Sequence, residues 1–186
     1  MQAIPTEIPD VLEIAPKVFG DARGFFLETW NEEAFREAGV EARFVQDNWS
    51  RSRKGILRGL HYQAPTAQGK LVRVVRGAVF DVAVDLRRSS PTFGRWVGRE
   101  LSAANFRALW IPAGFAHGFL ALEDDTDFVY KCSAPYRPQE ERTLAWDDAT
   151  VAIDWPLDRI GGREAVLVSE KDRVQALAFP DAEAFA

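Results

Sequence analysis

The chain has 186 residues, 47% of them hydrophobic; that is enough for one core and short for two, so residues 1–186 are read as a single domain. Its 23 basic and 28 acidic residues leave a net charge of -5, which argues against a surface built to hold nucleic-acid backbone. Cys132 is the one cysteine, excluding an intrachain disulfide, and no run of about 18 apolar residues or basic leader occurs, so a soluble, cytoplasmic protein without a membrane span is expected.

The first predicted helix follows Asn31, whose side chain suits an N-cap. Glu32 and Glu33 favour the positive helix end, Phe35 and Ala38 supply an apolar stripe, and Gly39 stops it. The segment from Gly55 to Gln63 is an apolar, glycine-flanked strand pattern that carries Arg58 and His61. From Val72 to Leu86 the period is two, which predicts a pair of strands joined at Arg76-Gly77. In the second strand Phe80, Val82, Val84 and Leu86 share one face, while Val79, Asp81, Ala83 and Asp85 share the other.

Further short strands are predicted for Phe106 to Ile111, Phe119 to Leu122 and Phe128 to Cys132, separated by Pro112-Ala113-Gly114 and Glu123-Asp124-Asp125. Strands at this spacing describe a mainly β sandwich or barrel. A second helix is expected near the C-terminus, and no repeat or linker divides the chain.

Both histidines lie in turn-rich, aromatic surroundings: His61 in the Gly55 to Gln63 strand and His117 in the run from Pro112 to Phe119. Imidazole is the side chain suited to moving protons near neutral pH, and the two rings are candidates to face one cavity. A small antiparallel barrel with histidines raises the question of a metal. Such a site needs three or four suitable ligands, and His61 is followed by Tyr62 and Gln63 rather than by a His-x-His pair, so no metal is expected.

Several segments, taken in order, carry a family resemblance. They are Asp21 to Glu28, Gln46-Asp47-Asn48, Arg58 to Gln63 and Gln68-Gly69-Lys70, then Ser90 to Gly94 and Pro112 to Phe119. Tyr130-Lys131-Cys132, Trp146-Asp147-Asp148 and Ser169 to Asp172 complete the set. Together they span about residues 15–175, and the chain resembles the dTDP-4-dehydrorhamnose 3,5-epimerases, a metal-free branch of the cupin-like jelly rolls.

That resemblance implies a jelly-roll β-sandwich with a few short helices, no cofactor, a dTDP-sugar substrate and a homodimer. The reaction would invert the two carbons that flank a ketone, which calls for a base, an acid from the opposite face and a group to stabilise the enolate. By the resemblance His61 is the base, Tyr130 the acid, Asp172 the carboxylate that orients His61, and Lys70 the cation at the ketone. Arg23 and Arg58 match phosphate contacts, Phe26 and Glu28 a thymine-binding strand that often serves the neighbouring subunit, and Gln46, Asn48, His117 and Tyr136 the pocket lining. The chain departs from the pattern at Ser133-Ala134-Pro135, where one rim aromatic is missing, and after Asp172, where Arg173 stands in place of a proline. A single-carbon epimerase or ketoisomerase, a catalytically silent sugar-nucleotide-binding module and a metal-dependent cupin oxygenase are the alternative readings.

Overall fold

The structure is a computed structural model that describes residues 1–186. In chain order it runs through β1 (Gln2–Pro5), β2 (Leu12–Ala15), β3 (Val18–Asp21), β4 (Gly24–Leu27), α1 (Glu32–Glu37), β5 (Gln46–Ser52) and β6 (Leu57–Gln63). There follow β7 (Lys70–Arg76), β8 (Ala78–Asp85), β9 (Trp96–Ser102), β10 (Ala108–Ile111), β11 (Phe115–Ala121), β12 (Thr126–Cys132), β13 (Glu141–Leu144), α2 (Glu170–Gln175) and β14 (Ala176–Leu177). Two six-stranded sheets result, ordered β1-β2-β10-β7-β12-β5 and β14-β13-β6-β11-β8-β9, with β3–β4 as a separate hairpin. This is the cupin-like sandwich that the family resemblance implies.

The alternation along β8 explains how the layers stack. Val79 and Ala83 point between the sheets and pack with Val72 and Val74 of β7, Phe119 of β11 and Phe128 of β12. Val82, Val84 and Leu86 face the other way, against Trp155, Ile160 and Ala182 of the C-terminal segment. The strand is therefore buried on both faces, and Asp81 on its inward face is fully shielded from solvent. Part of the outer side of the first sheet is covered by α1, whose one buried residue, Phe35, packs with Leu71 and Trp110. Asn31 caps that helix by accepting from the Ala34 N–H at 3.1 Å, as its sequence position suggests.

The two strands that the periodicity joins at Arg76-Gly77 are β7 and β8, and because β7 belongs to the first sheet and β8 to the second, the short link carries the chain across the sandwich. Strand starts differ from the periodicity reading further along the chain. β10 starts at Ala108 rather than Phe106, which takes a positive φ of 58° and breaks the extended run. β11 starts at Phe115, directly after the Pro112 to Gly114 turn, so that His117 lies within the strand.

Two glycines let β6 and β11 meet at the histidines. A Cβ on Gly59, whose φ is +123°, would stand 2.6 Å from the Gly118 Cα, and one on Gly118 would stand 2.6 Å from the Arg58 carbonyl oxygen. The backbones are thus closer there than any side chain permits. The register between the strands shifts at this point, which leaves His117 directly opposite His61.

Candidate active site

Between the two sheets lies a cavity of about 770 Å³, within the usual size for a small-molecule site. Its walls come from both sheets. Gln46, Asn48 and Ser50 of β5, Lys70 of β7 and Phe128, Tyr130 and Cys132 of β12 line it from the first sheet, each set following the period of two. Arg58 and His61 of β6 and His117 and Phe119 of β11 line it from the second, and Lys171 and Asp172 close it from α2. Both histidines therefore face one cavity.

His61 Nε2 stands 2.6 Å from Asp172 Oδ1. Asp172 is brought there by α2, which Ser169 caps by accepting from the Asp172 N–H at 3.0 Å. Burial pushes the Asp172 carboxyl upward, but the hydrogen bond and charge of His61, with the Ser169 bond, outweigh it and hold the group below its ordinary range. An ionised Asp172 accepts only, so in the neutral form of the His61 ring the proton sits on Nε2 and the free lone pair on Nδ1.

His117 has a carboxylate of its own. Its Nε2 lies 2.9 Å from Asp81 Oδ2, and both groups are buried. Burial lowers the His117 pKa against the pull of Asp81, and burial raises that of Asp81 against the pull of His117. Lys70, 9% exposed, sits opposite Cys132 in the register, and burial lowers its pKa while Cys132, Asp81 and Glu141 oppose the shift. Tyr130 packs on Phe128 with ring centroids 5.9 Å apart, and burial raises its phenol above the usual value. It is a protonated donor at neutral pH.

At the rim, Arg58 donates from Nε to Ser52 Oγ at 3.0 Å and from a terminal nitrogen to the Arg51 carbonyl at 3.1 Å, which fixes its fork at the cavity wall. Gln46 donates to Asn48 Oδ1 at 3.0 Å and accepts from the Tyr136 N–H at 2.8 Å, locking Tyr136 beside the pocket. Glu141 Oε2 accepts from Tyr136 Oη at 2.8 Å and also from Lys171 Nζ.

Of the sequence candidates, His61, Lys70, Tyr130, Asp172, Gln46, Asn48, Arg58, His117 and Tyr136 converge on this cavity. Arg23, Phe26 and Glu28 do not. Arg23 is exposed at the β3–β4 turn and pairs with Asp21, the Phe26 ring is exposed on the same hairpin, and Glu28 accepts from Asn31 Nδ2 at 3.2 Å. Sequence reading missed Asp81, Glu141 and Lys171 as site residues. Asp81 had a signal, a lone carboxylate in the apolar run from Ala78 to Val84; Glu141, inside Gln139-Glu140-Glu141-Arg142, had none to set it apart from a solvated face. No cluster of three His, Cys, Asp or Glu side chains is arranged to hold a metal ion.

The family model described as dTDP-4-dehydrorhamnose 3,5-epimerase matches residues 5–179. A dTDP-4-dehydrorhamnose 3,5-epimerase of Pseudomonas aeruginosa is 57% identical over 186 residues, covering 100% of this chain and 99% of that protein. The crystal structure of dTDP-6-deoxy-D-glucose-3,5-epimerase from Legionella pneumophila, in complex with dTDP-4-keto-L-rhamnose, is 49% identical with a TM-score of 0.91, covering 98% of this chain and 94% of that one. A 3'-monoepimerase of Streptomyces bikiniensis, in complex with dTDP-quinovose, is 36% identical with a TM-score of 0.85, covering 97% of this chain and 88% of that one.

Proposed function

The chain belongs to the dTDP-4-dehydrorhamnose 3,5-epimerase family, isomerases of the dTDP-rhamnose pathway, and we propose that His61 and Tyr130 carry the two halves of the inversion from opposite sheets. The substrate is dTDP-4-dehydro-6-deoxy-D-glucose and the product dTDP-4-dehydro-L-rhamnose. The observation that carries the reading is that the His61–Asp172 pair and Tyr130 line one cavity from its two walls, with Lys70 on the strand next to Tyr130 in the same lining.

A proton on carbon 3 or 5 is acidic only through the ketone at carbon 4. His61 Nδ1 takes that proton, the C–H electrons pass to the ketone oxygen as an enolate, and the imidazolium is stabilised by Asp172. The Lys70 ammonium meets the enolate oxygen in a site shielded from water, where a fixed charge is strongest. Tyr130 then donates its phenolic proton to the same carbon from the other side. The carbonyl re-forms, the phenolate recovers a proton from solvent and His61 releases one, so the protons balance.

Arg58 is assigned to the diphosphate, since its planar fork matches paired phosphate oxygens. Gln46, Asn48, His117 and Tyr136 are assigned to the sugar and the nucleoside side of the pocket. Arg23, Phe26 and Glu28 are assigned to the site of a second copy in a homodimer, with residues 1–186 acting as one domain. Support for that comes from the β3–β4 hairpin, where Phe19, Phe25 and Phe26 are 53%, 63% and 69% exposed, an aromatic surface that a lone chain has little reason to present. No helix is long and apolar enough to cross a membrane, and the lone thiol, Cys132, is buried; a cytoplasmic setting suits both.

The test is incubation with the dTDP-ketosugar in heavy water. Deuterium should enter carbons 3 and 5, with the L-rhamno product seen by NMR. Deuterium at one carbon alone makes the enzyme a single-carbon epimerase, and nucleotide binding without any exchange makes it a silent binding module.

A further inference from the structure

We propose that Glu141 is a positioning residue, one that holds Asp172 against His61 by tying down the short helix that carries it. The proposal rests on the reading of His61 and Asp172 given above. α2 has six residues, too few to be stable by its own hydrogen bonds. Nor does it have an apolar face to bury. Its one buried side chain is Asp172, its one aliphatic residue, Val174, is 69% exposed, and Arg173 pairs with Glu170 of the same helix.

Backbone bonds fix the chain on either side of α2. The Leu57 N–H donates to the Leu167 carbonyl at 2.9 Å before it, and β14 pairs with β13 after it. Val168 packs against the core just before the helix, and from α2 itself only two polar side-chain ties reach across to the body of the protein, Asp172 to His61 and Lys171 to Glu141. Glu141 opens β13 and lies opposite Gln63 in the register, two residues along β6 from His61. Its Oε2 also accepts from Tyr136 Oη, so one carboxylate joins α2, the strand beside His61 and the rim aromatic. Burial pushes the Glu141 carboxyl up, but the Lys171 and Tyr136 hydrogen bonds outweigh it, so the group stays ionised as the tie requires.

Misplacement of a catalytic group by about 1 Å costs up to about a hundredfold in rate, so a slack α2 should show in turnover before it shows in binding. Glu141→Gln keeps an acceptor for Tyr136 and loses the charge that holds Lys171. Its kcat should fall about tenfold with KM within about twofold, and backbone amides of residues 169–175 should exchange with solvent faster than in wild type. Lys171→Met should reproduce both changes, and the double variant should be no worse than either single one. Unaltered amide exchange in Glu141→Gln overturns the tie whatever the activity, and so does a rise in KM at constant kcat, which would mean that Glu141 touches substrate. Wild-type protein that exchanges no deuterium into the sugar overturns the catalytic reading itself, while the amide measurement still judges the tie.

Discussion

His61 and Asp172 are separated by 111 positions in the chain, yet their Nε2 and Oδ1 atoms stand 2.6 Å apart at the wall of the cavity. The contact fixes the tautomer as well as the ring, because an ionised carboxylate demands a proton on the nitrogen it meets. Asp172→Asn removes that demand: the amide can donate to Nε2 and so place the proton on Nδ1, where the base should be. Deuterium entry at carbons 3 and 5 is expected to fall by about 10³–10⁴-fold with the fold intact, as for other His–Asp pairs stripped of the carboxylate. Circular dichroism and the exchange rate in heavy water check both halves, and a loss below tenfold would show that Asp172 does not orient the base.

Tyr130→Phe separates proton removal from inversion. His61, Asp172 and Lys70 are untouched, so the enolate should still form and take deuterium back on the face it came from. Recovered substrate should be labelled at no less than about one tenth of the wild-type rate, while product falls by about 10²–10⁴-fold. NMR of substrate and product pools reads the two rates together. Equal loss of both would mean that the phenol acts before the enolate forms.

Lys70→Met keeps a long side chain in the buried position and removes the charge. Proton abstraction, rather than nucleotide binding, should suffer, by about 10²–10³-fold in kcat. The observable is labelling at both carbons, with dTDP affinity measured calorimetrically as the control. Affinity that drops in step with kcat would place Lys70 at the nucleotide instead.

How far the sequence speaks for these residues depends on what period and spacing encode. The period of two in β8 sorted Val82 and Val84 from Val79 and Ala83 correctly, since alternate side chains of a strand must face opposite layers. Period does not say which sheet a strand joins, so the two strands that meet at Gly77 were legible and the crossing between sheets was not. The Asn31 cap was legible because its hydrogen bond is local. The His61–Asp172 contact is not local, and only the ordered family segments linked the two. Asp81 is a charge among apolar neighbours, a signal in the sequence that went unread, whereas Glu141 and Lys171 sit in charged runs whose place in the site depends on tertiary packing. Arg23, Phe26 and Glu28 matched their segment, but the hairpin carries them away from this chain's cavity.

Acid stability should report on Asp85. Its carboxyl is fully buried and accepts from Arg87, Ser90 Oγ and Thr92 Oγ1 at 2.6 to 2.9 Å. Burial raises its pKa, but these bonds prevail and bring it from 3.8 down to about 2. A folded value below the unfolded one means that the stabilisation is complete above about pH 4 and disappears as pH falls towards 2, a difference of roughly 2 kcal/mol. Asp85→Asn should therefore cost at least that much at pH 7, and its deficit against wild type should narrow steadily below pH 4. Urea unfolding across that range measures it; a deficit independent of pH would trace the loss to packing.

Gly118→Ala tests whether the close approach of β6 and β11 sets the site. A Cβ there would stand 2.6 Å from the Arg58 carbonyl oxygen and 3.0 Å from the Gly59 Cα, both backbone atoms that cannot swing aside. The strands must part by several tenths of an ångström, next to the His61–His117 register pair. Overpacking of this kind costs about 1–3 kcal/mol, and the parting should also loosen His61 from Asp172. Thermal unfolding should register the first effect and labelling in heavy water the second, with kcat down at least about tenfold. Ala121 of the same strand is equally buried but lies beyond the histidines, so Ala121→Gly should lower stability through lost contact and backbone entropy while leaving kcat near wild type. If the two variants lose stability alike and both keep full turnover, the strand approach is a matter of folding and not of catalysis.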